Sequence, residues 1–587
     1  MVLYVCIIVR MYISLVPNRN SPPAVLLREG WREGHKTRQR TLANLSHWPK
    51  EKIETFRRLL RDEQLISPQD LFTTKKTRPH GHVQAILEMI GKLELDRLIS
   101  AQRCRERDLV VAMVVQRLIA PCSKLATTQH WHTTTLAEEL GVGEATEDDL
   151  YEAMDWLLER KERIEKKLAA RHLTEGGLVL YDVSSSFYEG RTCPLGQFGH
   201  DRDGKKGLPI IVYGVMTNGE GCPVAVEVYP GDTGDPTTVA DQVEKLQKRF
   251  GLSRVVLVGD RGMLTQPQID KLKQHPGFGW ITALTSTAIR ELVAQGALQL
   301  SLLDQKNLAE ITSPDYPGER LMVCHNLLLE QERKRKREAL LEATEKSLEK
   351  IRKEVARRKK KPLPAEEIGV KVGKVLGRYK VGKHFDYQIG ESRFAWSRRP
   401  ESIEQEAKLD GIYVLRTSEP AERLSAEDTV RSYKRLAEVE RAFRCLKGID
   451  LLVRPIRHRT EDRVPAHIFL CVLAYYVEWH LRWAWAPLLF EDEERREERK
   501  RRDPILPAKP SASVQRKKRS HQTVEGLPVH SFEGLLSDLA SRARVTYALK
   551  SGKSEEKSHL TFQQVPEPTP VQARAYELVR TFSVAGR

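Results

Sequence analysis

The sequence predicts an α/β protein: a mixed sheet with flanking helices, interrupted by an inserted strand-containing and helical domain, behind a mainly helical N-terminal domain. Three observations predict it. Residues 178–285 link short apolar strands first by a hairpin turn and then by helical crossovers. Residues 286–425 break that pattern, and a strong amphipathic helix starts near 427. Residues 50–172 place apolar side chains at three- and four-residue spacing, as in EKIETFRRLLRDE and DLVVAMVVQRLI.

The chain has 587 residues, too many for one core, so two to four domains are expected. The expected divisions are 1–172, 173–285, 286–425, 426–490 and 491–587. The formal charge of +17 favours a polyanionic partner, of which nucleic acid is the commonest. The eight cysteines are scattered with no CxxC pair, so neither a zinc site nor a disulfide framework is expected, and a reducing cytosol fits.

The opening MVLYVCIIVRMYISLV carries Arg10 in its middle, lacks a cleavage-like small-residue site and is too short to span a bilayer. It is expected to be a strand preceded by a few extra residues. VPNRNSPP then supplies turn residues, and REGWREGHKTRQRTLANL reads as a basic second arm. The apolar stretch 469–490 contains Glu478, His480 and Arg482, which suits a buried helix, and no membrane segment is expected.

From 178 the strands are LVLYDVSSSFYEG, LPIIVYGVMT and PVAVEVYP, the last two joined by the turn NGEG. A helix, the strand SRVVLVGDRGM, a second helix and the strand FGWITALT follow. In the interruption, the charged run 329–361 fits either a solvated helical hairpin with many charge pairs or a DNA-facing surface. FDYQIGESRFAWSRRP and LDGIYVLRTS read as strands, and PILPAKPSASVQRKKRS near the end reads as a flexible linker.

Asp182 and Asp260 each end a buried apolar run, and open sheets place ligands beyond the carboxyl ends of their strands. Two acids sharing a partly desolvated cleft repel, and a divalent cation relieves that cost. Mg²⁺ takes hard oxygen ligands together with substrate phosphate. In the helix expected at 427–448, Tyr433, Glu440 and Lys447 recur every seven residues and share a face, so Glu440 becomes a third carboxylate toward the cleft. Glu438 lies about 160° away around a helix and should face elsewhere. Ser184 fits a hydrogen bond near the first acid or an ordinary strand-end serine equally well. The SSS run lacks the flanking glycines of a nucleophile elbow. His458 and His467 read as structural or DNA-facing.

YDVSSSFYEG with Asp182, VGDRGM with Asp260 and YKRLAEVERAFRCLK with Glu440 together resemble the three acidic motifs of DDE transposases of bacterial insertion sequences. The branch is the one with a Tyr-x2-Arg-x3-Glu-x6-Lys signature, the insertion-sequence-four superfamily. Tyr433, Glu440 and Lys447 match in type and spacing, whereas Leu436 stands at the signature's Arg position; Arg435 or Arg444 could take its place. GHDRDGKKGLPIIVYGVMTNGEGCPVAVEVYPGDTGDPTTV and RPIRHRTEDRVPAHIFL carry the resemblance further, to roughly 11–490.

The resemblance implies an RNase H-like core, in two parts at 173–285 and 426–490 around the insertion. It implies Mg²⁺-dependent strand cleavage and strand transfer with Asp182, Asp260 and Glu440 as catalytic metal ligands, two ions per site, and Mn²⁺ able to substitute. Tyr433, Lys447, Arg261 and Arg444 are expected to contact DNA phosphate, and Trp396 is a candidate for stacking on a flipped base. The partners implied are double-stranded DNA, as terminal inverted repeats and target, and a second protomer in the synaptic complex; the location implied is the cytoplasm. The N-terminal 1–172 is expected to bind DNA, with 81–125 as a possible helix-turn-helix. Two alternatives stand beside this: an RNase H-like nuclease that only hydrolyses, and a catalytically inactive transposase-derived DNA-binding protein.

Overall fold

The computed structural model describes residues 10–19, 21–63, 72–303, 306–358, 360–549 and 561–583. The first nine residues of the opening segment, Cys6 among them, lie outside the described residues. The chain forms two units, 1–77 with 544–565, and 78–543 with 566–587.

In the first unit, β1 (Arg10–Val16), β2 (Ala24–Glu33) and β3 (Lys36–Asn44) make an antiparallel sheet in that order. This is the strand-and-turn arm expected at 11–45. Gly34 closes the two-residue β2–β3 loop at φ +62°, a conformation a tight hairpin needs and a side chain resists. A second sheet joins β4 (Phe72–Pro79) to Ala543–Leu549, which pairs with Thr561–Gln564.

The second unit is built on one mixed sheet. Its strands are β5 (Leu178–Phe187), β6 (Ile210–Asn218), β7 (Pro223–Pro230), β8 (Val255–Val258), β9 (Phe278–Ala283), β10 (Leu308–Ile311) and β11 (Arg320–His325). A hairpin of β12 (Phe385–Gly390) and β13 (Arg393–Arg398) stands apart, and β14 (Ile412–Thr417) returns to the sheet. The order is β10-β11-β14-β9-β8-β5-β6-β7. β5, β8 and β9 run parallel, and every other pairing is antiparallel. The strands are apolar on both faces because helices cover both; β6 is buried along its whole length.

The NGEG turn between β6 and β7 is held by Asn218, whose Oδ1 accepts from the backbone N–H of Glu220 and Cys222, each at 3.0 Å. Gly221 sits at φ +86°, and a Cβ there would stand 2.6 Å from the Cβ of Glu438. A glycine at this position lets the hairpin tip reach the helix that carries Glu438 and Glu440.

The N-terminal helices do not form a core of their own. Side chains from Val83 to Leu173 share one apolar cluster with β5–β9 and the helices Leu436–Lys447 and Arg463–Ala484. Helix Arg105–Ile119 is buried from Leu109 to Leu118, which leaves it no free face to lay in a DNA groove and corrects the helix-turn-helix expected at 81–125. Helix Arg463–Ala484 is long and apolar enough to cross a membrane, but 94% of its apolar window is buried inside the fold, as its internal Glu478, His480 and Arg482 predicted.

Three strands from 286–425 extend the main sheet rather than standing apart. What remains is a small core of its own, formed by helices Leu327–Arg357 and Ala365–Tyr379 with the β12–β13 hairpin. The charged helix is tied down by ion pairs, Glu354 with Lys371 and Glu345 with Arg398. The stretch 504–520, expected as a flexible linker, is ordered. Ser511 caps a helix over Ala512–Ser520, and Lys517 donates to the carbonyls of Ala486, Leu489 and Glu491 at 2.7–3.2 Å. Its charge serves as a cap for a neighbouring chain end instead of keeping the segment in solvent.

Candidate active site

Three elements bring the acids together. β5 and β8 are parallel with Leu178 beside Val256 and Leu180 beside Val258. The same register continued by two residues sets Asp182 level with Asp260, just past the end of β8. Asp182 is half-buried, and its Oδ1 accepts from its neighbour Val183 N–H at 2.8 Å. Asp260 is exposed, and its Oδ1 accepts from Met263 N–H at 2.8 Å, which fixes the turn after the strand.

Glu440 comes from helix Leu436–Lys447, which packs across β5. Its buried face is Val439, Ala442, Phe443 and Leu446, the spacing of one helical stripe. Phe443 meets the ring of Tyr213 on β6 at 5.9 Å. Glu440 stands exposed at the edge of that stripe, on the acid side. Glu438 is buried and paired with Arg495 and Arg499 at 2.5 and 2.8 Å, away from the cluster, as its angular position predicted.

Electrostatics ties the three acids to one another. Burial pushes the Asp182 carboxyl up to about 7; the charges of Asp260 and Glu440 push the same way, against the Val183 N–H and Arg202. Half-buried Tyr433 is raised to about 12, first by burial and then by Asp260, with Glu440 and Asp182 adding and Arg261 opposing. Its hydroxyl therefore stays protonated and able to donate. Among the described residues the groups of three potential ligands closed to within 4.8 Å are His172–Cys222–His480 and Cys445–Asp450–Glu478. The acid trio is not among these groups. Its donor set, three hard carboxylates with one of them half-buried and pushed toward protonation, fits a divalent ion.

The helix expected over 427–448 is in fact two, Ala426–Lys434 and Leu436–Lys447, with Arg435 at the joint. Arg435 is turned to the β6–β7 hairpin, donating to Gly219 O at 3.1 Å and pairing with Glu220 at 2.9 Å. It is thus engaged there rather than standing in for the arginine that Leu436 replaces. Tyr433 lies on the first helix and Glu440 and Lys447 on the second; Tyr433 and Glu440 feel the acids' charge, whereas Lys447 is turned to Asp203.

Lys447 is bound to Asp203 at 3.1 Å. Arg444 is exposed and lines a cavity of about 660 Å³ with Arg441, Arg495, Arg496 and Arg499. Arg261 is exposed and opens onto a second groove of about 660 Å³, whose wall includes Arg290, Arg333, Lys336, Lys380 and Lys383. Trp396 sits on β13 opposite Tyr387, its ring 5.9 Å from Phe385 at a steep angle, packed against the insertion's core with its Nε1 buried and unpartnered. Ser184 is buried within β5. His458 and His467 are ring neighbours at 4.8 Å beneath the helix end.

Two family models match the sequence: "Transposase DDE domain" over residues 191–477, and "IS1634 family transposase, N-terminal domain" over residues 13–72. The chain belongs to the DDE transposases of insertion sequences. It is a DNA transposase, and DDE domains work with divalent metal ions. No curated protein matches this transposase. A solved structure, the cryo-EM synaptic complex of piggyBac transposase with hairpin DNA, is similar at 12% identity and a TM-score of 0.30, covering 75% of this chain and 88% of that one.

Sequence reasoning missed two charged residues beside the candidate site. Asp203, its carboxylate almost fully buried, accepts from Phe187 N–H at 3.1 Å and holds both Lys447 and Arg454. Arg202 beside it pairs with Asp235 and acts on Asp182. Both lie in GHDRDGKKG, a loop whose density of charge between two buried strands was the available signal.

Proposed function

We propose that this transposase cuts and joins DNA with Asp182, Asp260 and Glu440 as the ligands of divalent ions, Mg²⁺ by preference and two per site, on an RNase H-like core. The observation that carries the reading is the meeting of the three acids across the β5–β8 register and the helix on β5. The order β7-β6-β5-β8-β9, three antiparallel strands followed by two parallel ones, supports the RNase H-like assignment. Ions bound there would supply Lewis-acid activation of the attacking oxygen and stabilisation of the leaving one.

The chain's own residues do the rest. Asp182 gives up its proton when the site is loaded. Tyr433 donates its phenolic proton to a phosphate oxygen beside the acids, and Arg261 fixes the strand at the mouth of the basic groove. Lys447 exchanges Asp203 for phosphate, or stays on it and holds the loop. Phosphate contacts of this kind set register and affinity and not sequence.

The test is incubation of the purified protein with Mg²⁺ and DNA bearing the element's own ends. Strand joining is expected, lost in Asp182→Ala, Asp260→Ala and Glu440→Ala while end binding persists. Nicking without joining would favour the hydrolytic nuclease, and a gel shift without cleavage the inactive binder.

A further inference from the structure

A third, smaller cationic pocket lies beside the segment that follows the Glu440 helix. It is a cavity of about 300 Å³ between the end of helix Arg105–Ile119, the start of helix Lys124–His130 and the segment 452–467. Its lining includes Arg117, Lys124, Arg454, Arg457, His458 and His467. Arg117 and Lys124 are 6% and 4% exposed.

Burying a cation is costly unless an anion or a full set of acceptors meets it. Arg454 and Arg457 have carboxylates, Asp203 and Glu189. Among the described residues Arg117 has only the carbonyls of Leu451 and Leu452, at 3.3 and 3.4 Å. Lys124 has no hydrogen-bond or ion-pair partner among the described residues, and it lines the cavity. His467 donates from Nε2 to Val453 O at 3.1 Å, so its neutral ring adds no charge to the pocket. The two buried cations, Arg117 and Lys124, are therefore short of negative charge.

The titration behaviour agrees. Lys124 is pushed down to about 7 by burial and then by Arg117, and the groups that oppose this are the thiols of Cys471 and Cys122. His458 is lowered to about 3 by burial, Lys124, Arg117 and Arg463. No carboxylate figures in either balance.

We propose that this pocket is a phosphate-binding site, with Lys124 and Arg117 as its principal ligands, and that it takes a backbone phosphate of the DNA strand leaving the acid cleft. A guanidinium fork and an ammonium on one side of a small cavity match the oxygens of a phosphodiester. The choice of DNA as the source rests on the transposase reading and on one connection. Arg454 lines the pocket and binds Asp203, the carboxylate that also holds Lys447 on the Glu440 helix. Asp203 thus ties the pocket to the helix that carries Glu440.

The test uses full-length protein and Lys124→Met, which keeps the length of the side chain. Duplex DNA carrying the element ends is titrated in Ca²⁺ at several salt concentrations, and thermal unfolding is followed with and without inorganic phosphate. Lys124→Met is expected to bind DNA about tenfold more weakly, with the log–log salt slope reduced by about one. It is also expected to melt no lower than wild type without phosphate, and to lose the phosphate-dependent rise in Tm that wild type shows. An unchanged salt slope would overturn DNA as the source even if the phosphate effect is lost. A marked fall in Tm, or a phosphate effect that survives the substitution, would overturn the site itself. None of these readouts depends on cleavage, so failure of the catalytic reading is scored separately.

Discussion

Lys447 Nζ lies 3.1 Å from Asp203 Oδ1, and Arg454 closes on the same oxygen at 2.5 Å. One buried carboxylate thus joins the Glu440 helix, the loop after β5 and the segment that follows the helix. Burial lowers the Lys447 ammonium's pKa and Asp203 raises it back, so the pair depends on that single charge.

Asp203→Asn keeps an acceptor for Phe187 N–H but removes the counter-ion of two cations. Breaking a fully buried pair costs about 3–5 kcal/mol. Lys447 and Arg454 retain some contact with water, so a loss of about 2 kcal/mol is expected, read as a lower denaturation midpoint. Cleavage should fall at least about tenfold, because the Glu440 helix loses its tether. An unchanged midpoint would show that the ion pair contributes nothing to the fold.

Asp182 makes the protein's stability depend on pH in a definite direction. Its carboxyl titrates at about 7 in the fold and near about 4 in an unfolded chain. Between those values the folded state keeps a proton that the unfolded state has released. Its contribution is complete below pH ~4 and is lost as pH rises through ~7, by roughly a few kcal/mol at most. Without divalent ions, Asp182→Asn should flatten this slope and melt higher than wild type at pH 8. Parallel Tm–pH curves for the two proteins would remove Asp182 as the source.

Glu438 and Glu440 are two residues apart and should separate stability from catalysis. Glu438 is buried between Arg495 and Arg499, so Glu438→Gln should destabilise by about 1–3 kcal/mol and leave some cleavage. Glu440 is exposed, so Glu440→Gln should keep the wild-type midpoint and lose cleavage. The reverse pattern would assign the third carboxylate to the wrong residue.

Much of this was legible in the sequence because it is local. An apolar run ending in an acid marks Asp182 and Asp260, and a seven-residue spacing marks Glu440. The positions of β10, β11 and β14 were not legible, since strand composition alone does not say which sheet edge a strand will join. RLMVCH, the strand Arg320–His325, reads the same in an insertion as on a core sheet. The break at Arg435 was hidden because its cause, Glu220 and the Gly219 carbonyl, lies more than two hundred residues upstream. The order of 504–520 was hidden likewise, since Lys517 is buried only when three carbonyls of another segment converge on it.

The donor set of the acids predicts how the protein responds to different cations. A divalent ion held by three carboxylates favours their charged forms, so the half-buried Asp182 should release its proton on binding. Binding of Mg²⁺ should therefore strengthen with pH through about 7 and be accompanied by proton release, measurable by calorimetry in buffers of different ionisation enthalpy. Mn²⁺, with similar oxygen-rich octahedral preferences, should support cleavage as Mg²⁺ does. Ca²⁺ takes more ligands at longer distance, so it should stabilise the DNA complex without turning it over. Cleavage undiminished in EDTA would contradict the assignment of these acids as metal ligands, and metal binding retained in the Asp182→Asn, Asp260→Asn double variant would move the ion elsewhere.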